Sequence, residues 1–250
     1  MVRERIEGRV LGALRVVDHA TALPLRAPLR LHSDTARVLR NRSGLYVITE
    51  AEGLQEHAAA FARPPDTPAP GSVVYRFTIV DPAQRYLPRQ LRVPLPRVPE
   101  PTHADSLFTP RDVPLYPAAS AGLSPNWSTV RVSVRREGTP VRGALLRVIE
   151  RRDDRVLASG ISDERGEALV IVPGVPVTRF ADEDDSHDDH AAAPVVVATL
   201  PVRLELSLTP GGWPVDPDEL ERNHADNLRD ARDLGLRTGG RENVEFNLIK

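Results

Sequence analysis

Two stretches in different halves of the chain follow the same course. The first is VVDHATALPLRAPLRL, followed closely by NRSGLYVIT; the second is VSVRREGTPVRGALLRVIE, followed by SDERGEALVIV. Each reads as strand, turn, a Pro-apolar-Arg-small step, then another strand. The step is Pro24-Leu25-Arg26-Ala27 in the first copy and Pro140-Val141-Arg142-Gly143 in the second. Each copy then reaches a four-residue turn that opens on Asx and closes on glycine, Asn41 to Gly44 and Asp163 to Gly166. Asn or Asp at the first position accepts hydrogen bonds from the turn's own amides, and glycine is the favoured exit at the fourth. A strand begins at once after both. A repeat of this kind constrains the fold more than any other feature, because it predicts two similar β domains and not one large fold.

The rest of the chain supplies strands for both. Arg9–Val17, Leu29–Leu31, Arg37–Arg40, Leu45–Thr49, Gly71–Val80 and Tyr86–Val93 are candidates in the first half. Val73, Tyr75, Phe77 and Ile79 alternate with Val74, Arg76 and Thr78, the period of a half-buried strand. A short helix is expected within Glu50–Ala62. Ser128–Arg135, Gly143–Glu150, Val156–Ser162, Glu167–Val172, Val195–Leu208 and Val244–Ile249 follow in the second half. Between them prolines stand at 94, 96, 99, 101, 110, 114, 117 and 125. Each removes a donor and restricts its predecessor, so neither a helix nor a central strand fits. The segment is expected to be an extended connector or arm whose Leu107, Phe108, Val113, Leu115 and Tyr116 pack on its own domains, with a partner as the alternative. Near the end, Asp216 suits an N-cap, Pro217 the first helical position and Glu219 the acid of a capping box, with Gly235 as a stop. The expected organisation is an N-terminal β-sandwich over 1–93, a Pro-rich arm over 94–126 and a C-terminal β-sandwich over 127–250. The last carries an acidic loop at 181–193 and a helix near 216–234.

The repeat resembles the carboxypeptidase regulatory-like, transthyretin-type β-sandwich, whose repeats read T-G-x-P-[VIL]-x-G-[AV] and then [DN]-x-x-G-x-[YFA]. The first copy supplies Thr21, Pro24, Leu25, Asn41, Gly44 and Tyr46. The second supplies Gly138, Pro140, Val141, Gly143, Ala144, Asp163, Gly166 and Ala168. The first copy departs from the pattern in lacking glycine after Arg26. The resemblance covers about forty residues in each half, one or two hairpins with their turns. It implies a mainly β protein of two transthyretin-like or immunoglobulin-like sandwiches, acting as accessory modules and not as a catalyst. A second resemblance concerns the whole chain. DPAQRYLPR (Asp81–Arg89), the Pro-rich stretch ending in Pro125-Asn126-Trp127, SDERGEALV and the Trp213–Glu221 tail are together similar to small cap or adaptor components of phage-tail-like contractile injection particles. It implies protein partners such as sheath, tube or cap subunits, an oligomeric setting within the particle, and assembly in the cytoplasm.

Composition excludes some other classes. A formal net charge of -2 lacks the basic excess of a dedicated nucleic-acid binder. No cysteine is present, which removes disulfides, thiol catalysis and Cys-ligated zinc. No run approaches the roughly 18–20 apolar residues that span a bilayer. The first twenty residues lack the apolar core of a signal peptide, which agrees with a cytoplasmic expectation.

Local chemistry is sparse. Neither GxxxxGK[ST], GxGxxG, GxSxG nor HExxH occurs, so no phosphate loop, nucleophile elbow or zincin helix is indicated and no catalytic or cofactor-binding residue is assigned. Arg85, Tyr86 and Arg89 could bind an anion, but pairing of the arginines with acids and packing of the tyrosine is the favoured reading. The segment ADEDDSHDDH, Ala181–His190, holds six carboxylates and two histidines. It lacks the glycine of a calcium loop, and its flanks predict no helix to bring His187 and His190 together, so a solvated loop is expected, with an electrostatic contact to a basic partner and a metal site as the alternatives. Partner-binding candidates are Phe108, Leu115 and Tyr116 of the Pro-rich arm, and Trp127 and Trp213, the two tryptophans, each near a proline at a junction, although burial at a domain boundary is the favoured reading for both tryptophans. The leading expectation is a non-enzymatic structural adaptor. The alternatives are a stand-alone module for a carbohydrate or protein ligand, weakened by only 4% aromatic residues, and a metal-dependent hydrolase built on the acidic segment.

Overall fold

The computed structural model describes residues 9–60, 65–176 and 199–249, together with the backbone of 178–179 and 196–197. The chain divides into two compact units. Unit 1 runs to Tyr116 and takes in Pro214–Glu219; unit 2 runs from Pro117 to Trp213 and resumes at Leu220. The acidic segment Ala181–His190 lies outside the described residues.

Unit 1 contains β1 (Gly12–Asp18), β2 (Arg30–His32), β3 (Ala36–Arg40), β4 (Tyr46–Ala51), β5 (Val73–Val80), β6 (Arg89–Leu95) and β7 (Arg111–Leu115), with a helical turn, α1 (Gln55–Ala59), after β4. One sheet has the order β3-β4-β1-β7 and the other β2-β5-β6. The first strand, β1, runs parallel to the last, β7, through pairs Leu14↔Arg111 to Asp18↔Leu115. The alternation read from the sequence of β5 is realised. Tyr75, Phe77 and Ile79 are buried while Val74 and Val80 face outward. They join Leu14, Ile48, Leu91, Val93 and Leu95 in one core, and each such side chain contributes about 1.5–3 kcal/mol on burial.

Unit 2 contains β8 (Ser128–Arg136), β9 (Thr139–Pro140), β10 (Leu145–Glu150), β11 (Val156–Ile161), β12 (Glu167–Val172), β13 (Thr178–Arg179), β14 (Val196–Val197), β15 (Leu200–Ser207), β16 (Leu228–Leu236) and β17 (Arg241–Leu248). Its sheets are β12-β8-β17, with β9 on β8, and β11-β10-β15-β16, and β13 pairs with β14. Again the first strand runs parallel to the last, β8 to β17. Val130, Val132, Val134, Leu146, Val170, Leu204 and Phe246 are among the buried core residues.

The two units share a strand plan: β1, β2, β4, β5, β6 and β7 correspond to β8, β10, β12, β15, β16 and β17. The repeated motifs fall at matching places. Leu25 N donates to Val16 O at 2.9 Å in unit 1, and Val141 N donates to Val134 O at 2.9 Å in unit 2. In both Asx-Gly turns the side-chain oxygen accepts from the residue after the glycine: Leu45 N to Asn41 Oδ1 at 2.9 Å, and Glu167 N to Asp163 Oδ1 at 3.0 Å. Gly44 and Gly166 both have positive φ, 83° and 76°. One strand differs. β3 pairs with its successor β4, whereas β11 pairs with its predecessor β10 on the opposite sheet.

One expectation is refined and one corrected. The stretch 94–126, expected as a connector packed on its own domains, supplies strand residues to unit 1. Pro94 and Leu95 finish β6, and Arg111–Leu115 forms β7 in unit 1. Both strands lie at sheet edges, where a residue without a donor leaves no ladder bond unmade. The helix near 216–234 is shorter than expected. Asp216 does cap it, accepting from Asp218 N at 3.1 Å, but the α-helix ends after six residues as α2 (Pro217–Arg222). Leu228, Ala231 and Leu234, spaced as a helical stripe, belong to strand β16, which pairs with β15 along its length. Gly235 is not a helix stop; a Cβ there would come within 2.6 Å of Thr199 Cγ2.

Candidate functional site

A polar cluster of unit 1 gathers around Arg89, the first residue of β6. Its side chain is almost wholly buried. Nη1 donates to Pro114 O at 2.7 Å, and Nη2 lies 3.1 Å from Asp218 Oδ1 and 3.8 Å from Asp216 Oδ1. Arg92, also on β6, places Nη2 3.0 Å from Glu219 Oε2. Arg111 of β7 donates to Arg92 O at 2.8 Å and to Asp218 Oδ2 at 2.9 Å. The backbone joins in: Gln90 N donates to Val215 O at 2.7 Å. Three guanidiniums thus meet the three carboxylates of Asp216, Asp218 and Glu219. Burial raises the pKa of Asp216, and the neighbouring Asp218 adds to the rise. The cluster neutralises itself, so it pins the 214–219 strap to the edge strand β6 instead of attracting a free anion. Two sequence strings quoted separately, Asp81–Arg89 and Trp213–Glu221, are therefore brought together in space.

The Arg85–Arg89 stretch follows the pairing reading. Arg85 pairs with Asp81 at 3.2 Å, and Asp81 also accepts from Ala83 N and Arg85 N. Burial acts to raise the Asp81 pKa, but these hydrogen bonds outweigh it and the pKa is lowered. Tyr86 Oη donates to Asp18 Oδ2 at 2.7 Å, and burial together with that bond holds the phenol protonated. His19 stacks on Tyr116 with centroids 4.0 Å apart. Burial lowers its pKa to about 4; Asp18 opposes the shift and Arg89 reinforces it.

Unit 2 has a second polar layer on the sheet β11-β10-β15-β16. Ser159, Arg147 and Glu205 occupy one row, since Arg147 registers with both others. Glu221 and His224 cover it. Ser159 Oγ donates to Glu221 Oε1 at 2.7 Å, and Arg147 Nε lies 3.4 Å from Glu221 Oε2. His224 Nε2 stands 3.1 Å from Glu205 Oε2, whose other oxygen accepts from Arg203 Nε at 2.8 Å. Burial and then Arg147 lower the His224 pKa, against Glu205 and Glu221. Serine, histidine and glutamate are all present, but their order is not that of an acyl-transfer relay. The serine proton goes to Glu221, and the imidazole faces a different carboxylate. The layer is built to attach the 221–224 segment.

The five partner-binding candidates separate. Phe108 is 64% exposed. Leu115, the last residue of β7, and Tyr116, which follows it and stacks on His19, are 1% and 4% exposed and lie in the interior of unit 1. Trp127 and Trp213 are half-buried. Among the described residues no group of three or more His, Asp or Glu is arranged to hold a metal ion. No helix among them is long and apolar enough to cross a membrane.

No protein-family model matches the sequence, and no curated protein matches it. Among solved structures, the chain is similar to the Bacillus anthracis TIE protein at a TM-score of 0.27 and 10% identity. The match covers 97% of this chain and 34% of that one, so the chain spans about a third of that protein's length.

Proposed function

We propose that this chain is a non-enzymatic structural adaptor that works through protein–protein contacts, and that its setting is a bacterial phage-tail-like contractile injection particle assembled in the cytoplasm. The particle is suggested by the whole-chain resemblance of Asp81–Arg89, Pro125–Trp127 and Trp213–Glu221. One structural observation carries the adaptor reading. Six of the nine exposed large apolar side chains among the described residues belong to unit 1, including Phe108 and Leu39. Leu39 lies on β3, an edge strand whose outer side has no neighbour among the described strands. An edge strand with an exposed leucine offers backbone pairing and an apolar anchor together, the chemistry of strand addition by a partner. The polar clusters support the same reading, since each is spent on tying a late segment of the chain to a sheet.

The test is capture of sheath, tube or cap proteins by the tagged chain from cells expressing the particle. The wild-type chain is expected to retain them, and Leu39→Asp with Phe108→Asp to release them while folding is unchanged. A monodisperse monomer that captures no particle protein would overturn the proposal.

A further inference from the structure

Unit 1 also buries an imidazole that neither polar cluster uses. His57, on α1, is 4% exposed, and its Nε2 meets no hydrogen-bond partner among the described residues. Buried polar atoms in folded proteins are nearly always paired, so an orphan of this kind marks a place where a partner is missing. His57 lines a cavity of ≈ 150 Å³, whose apolar lining includes Val10, Leu11, Pro70, Pro96 and Leu107.

Arg97 enters the same lining. Its side chain is 5% exposed, and Nε and Nη2 donate to Ser106 O at 3.2 and 3.1 Å. Nη1 is less well served, because Asp105 stands 4.0 Å away and is itself 71% exposed. Burial lowers the Arg97 pKa more than Asp105 raises it, so the guanidinium is short of anionic company. The stem lies over Gly12, where an added Cβ would meet Arg97 Cδ at 3.5 Å. Arg9 and the exposed Asp66 supply the remaining charge of the lining, two guanidiniums against one carboxylate.

We propose that this cavity binds a small carboxylic acid with a ring-sized apolar body, its carboxylate held by Arg97 Nη1 and His57 Nε2. The size fits, since an apolar cavity of about 150 Å³ admits benzene. The charge fits, because a carboxylate bonded to a guanidinium makes one of the stronger hydrogen bonds available. Phosphate or sulfate fits worse: these ions need donors on several sides, and this lining is mostly apolar. The inference is independent of the adaptor role.

The probe is benzoate, titrated into the full chain and followed by amide NMR shifts. Saturable one-to-one binding is expected, with shifts centred on Val10, Leu11, His57 and Leu107. Benzyl alcohol, of similar shape without the charge, is expected to bind at least tenfold more weakly. Arg97→Met should weaken benzoate tenfold and leave benzyl alcohol unchanged. Leu107→Trp, which fills the cavity, should abolish binding of both. The shift map on the wild-type chain decides the matter even where a variant fails to fold. Absence of saturation by about 10 mM, the weak limit for a ligand of this size, would overturn the proposal. So would shifts scattered over the surface, or equal affinity for the acid and the alcohol.

Discussion

Replacing Gly166 by alanine tests the repeated turn where its geometry is tightest. Gly166 has φ +76°, a region that costs an L-residue about 1–2 kcal/mol. A Cβ there would lie 2.5 Å from Val134 O, with Val141 N at 3.1 Å and Pro140 Cα at 3.3 Å. All three are backbone atoms, so no side-chain rotation relieves the clash. The β8–β9 hairpin must move, against its own bond from Val141 N to Val134 O. Overpacking of this kind costs about 1–3 kcal/mol, which brings the total to about 2–5 kcal/mol. Gly44 is the internal control. Its φ is +83°, yet the nearest atom to an added Cβ is Arg40 Nη2 at 3.5 Å, the free end of a flexible side chain. Gly44→Ala should therefore cost only the backbone part, about 1–2 kcal/mol. Both tryptophans, Trp127 and Trp213, belong to unit 2, whereas Tyr46, Tyr75, Tyr86 and Tyr116 all belong to unit 1. Tryptophan emission during urea unfolding thus follows unit 2. With a urea dependence of about 2 kcal/mol per molar, a loss of about 3.5 kcal/mol moves the midpoint down by about 1.7 M. Hydrogen exchange over β1–β7 reports Gly44→Ala. A tryptophan midpoint for Gly166→Ala within about 0.3 M of wild type would refute the steric argument. Equal costs for the two alanines would refute it as well.

Two further outcomes are expected. Arg89→Met leaves the Asp216 and Asp218 carboxylates without their buried guanidinium, and should destabilise unit 1 by about 2–4 kcal/mol; faster exchange at Val215–Glu219 is the signature, and unchanged exchange there would show that the strap is held by other contacts. His19 titrates near 4 in the folded chain, below its ordinary value, so the unfolded chain takes up the proton first as pH falls. Stability of unit 1 should be full above about pH 6.5 and decline between there and about pH 4, and His19→Gln should flatten that part of the pH profile measured by exchange over β1 and β7.

The parts of this fold that are legible in the sequence are those whose bonds close locally. An Asx-Gly turn satisfies its own amides within five residues, so Asn41–Gly44 and Asp163–Gly166 announce themselves, and each fixes the strand that follows. The Arg89 cluster has no such signature, because its acids arrive from a segment far along the chain and no pattern in either string names the other. Strand β7 is hidden for a different reason. Proline argues against a central strand, and Pro114 is compatible with β7 because that strand lies at an edge. β16 is hidden by ambiguity: Leu228, Ala231 and Leu234 fit a helical stripe, and only the availability of β15 as a partner decides otherwise.

The strand that changes sheets shows how small the deciding difference is. Three residues before the Asx of the turn, unit 1 has Val38 and unit 2 has Gly160. Val38 packs against the core of unit 1 at an irregularity in the β3–β4 register. Gly160 instead lets β11 pass against β12, since a Cβ there would lie 2.9 Å from both Leu169 O and Val170 Cγ2. A side chain at that point would drive β11 away from β12, so the missing Cβ is what allows β11 to approach it while pairing with β10. The repeated motifs thus determine the shared strand plan, and a single glycine outside them is a condition for the departure.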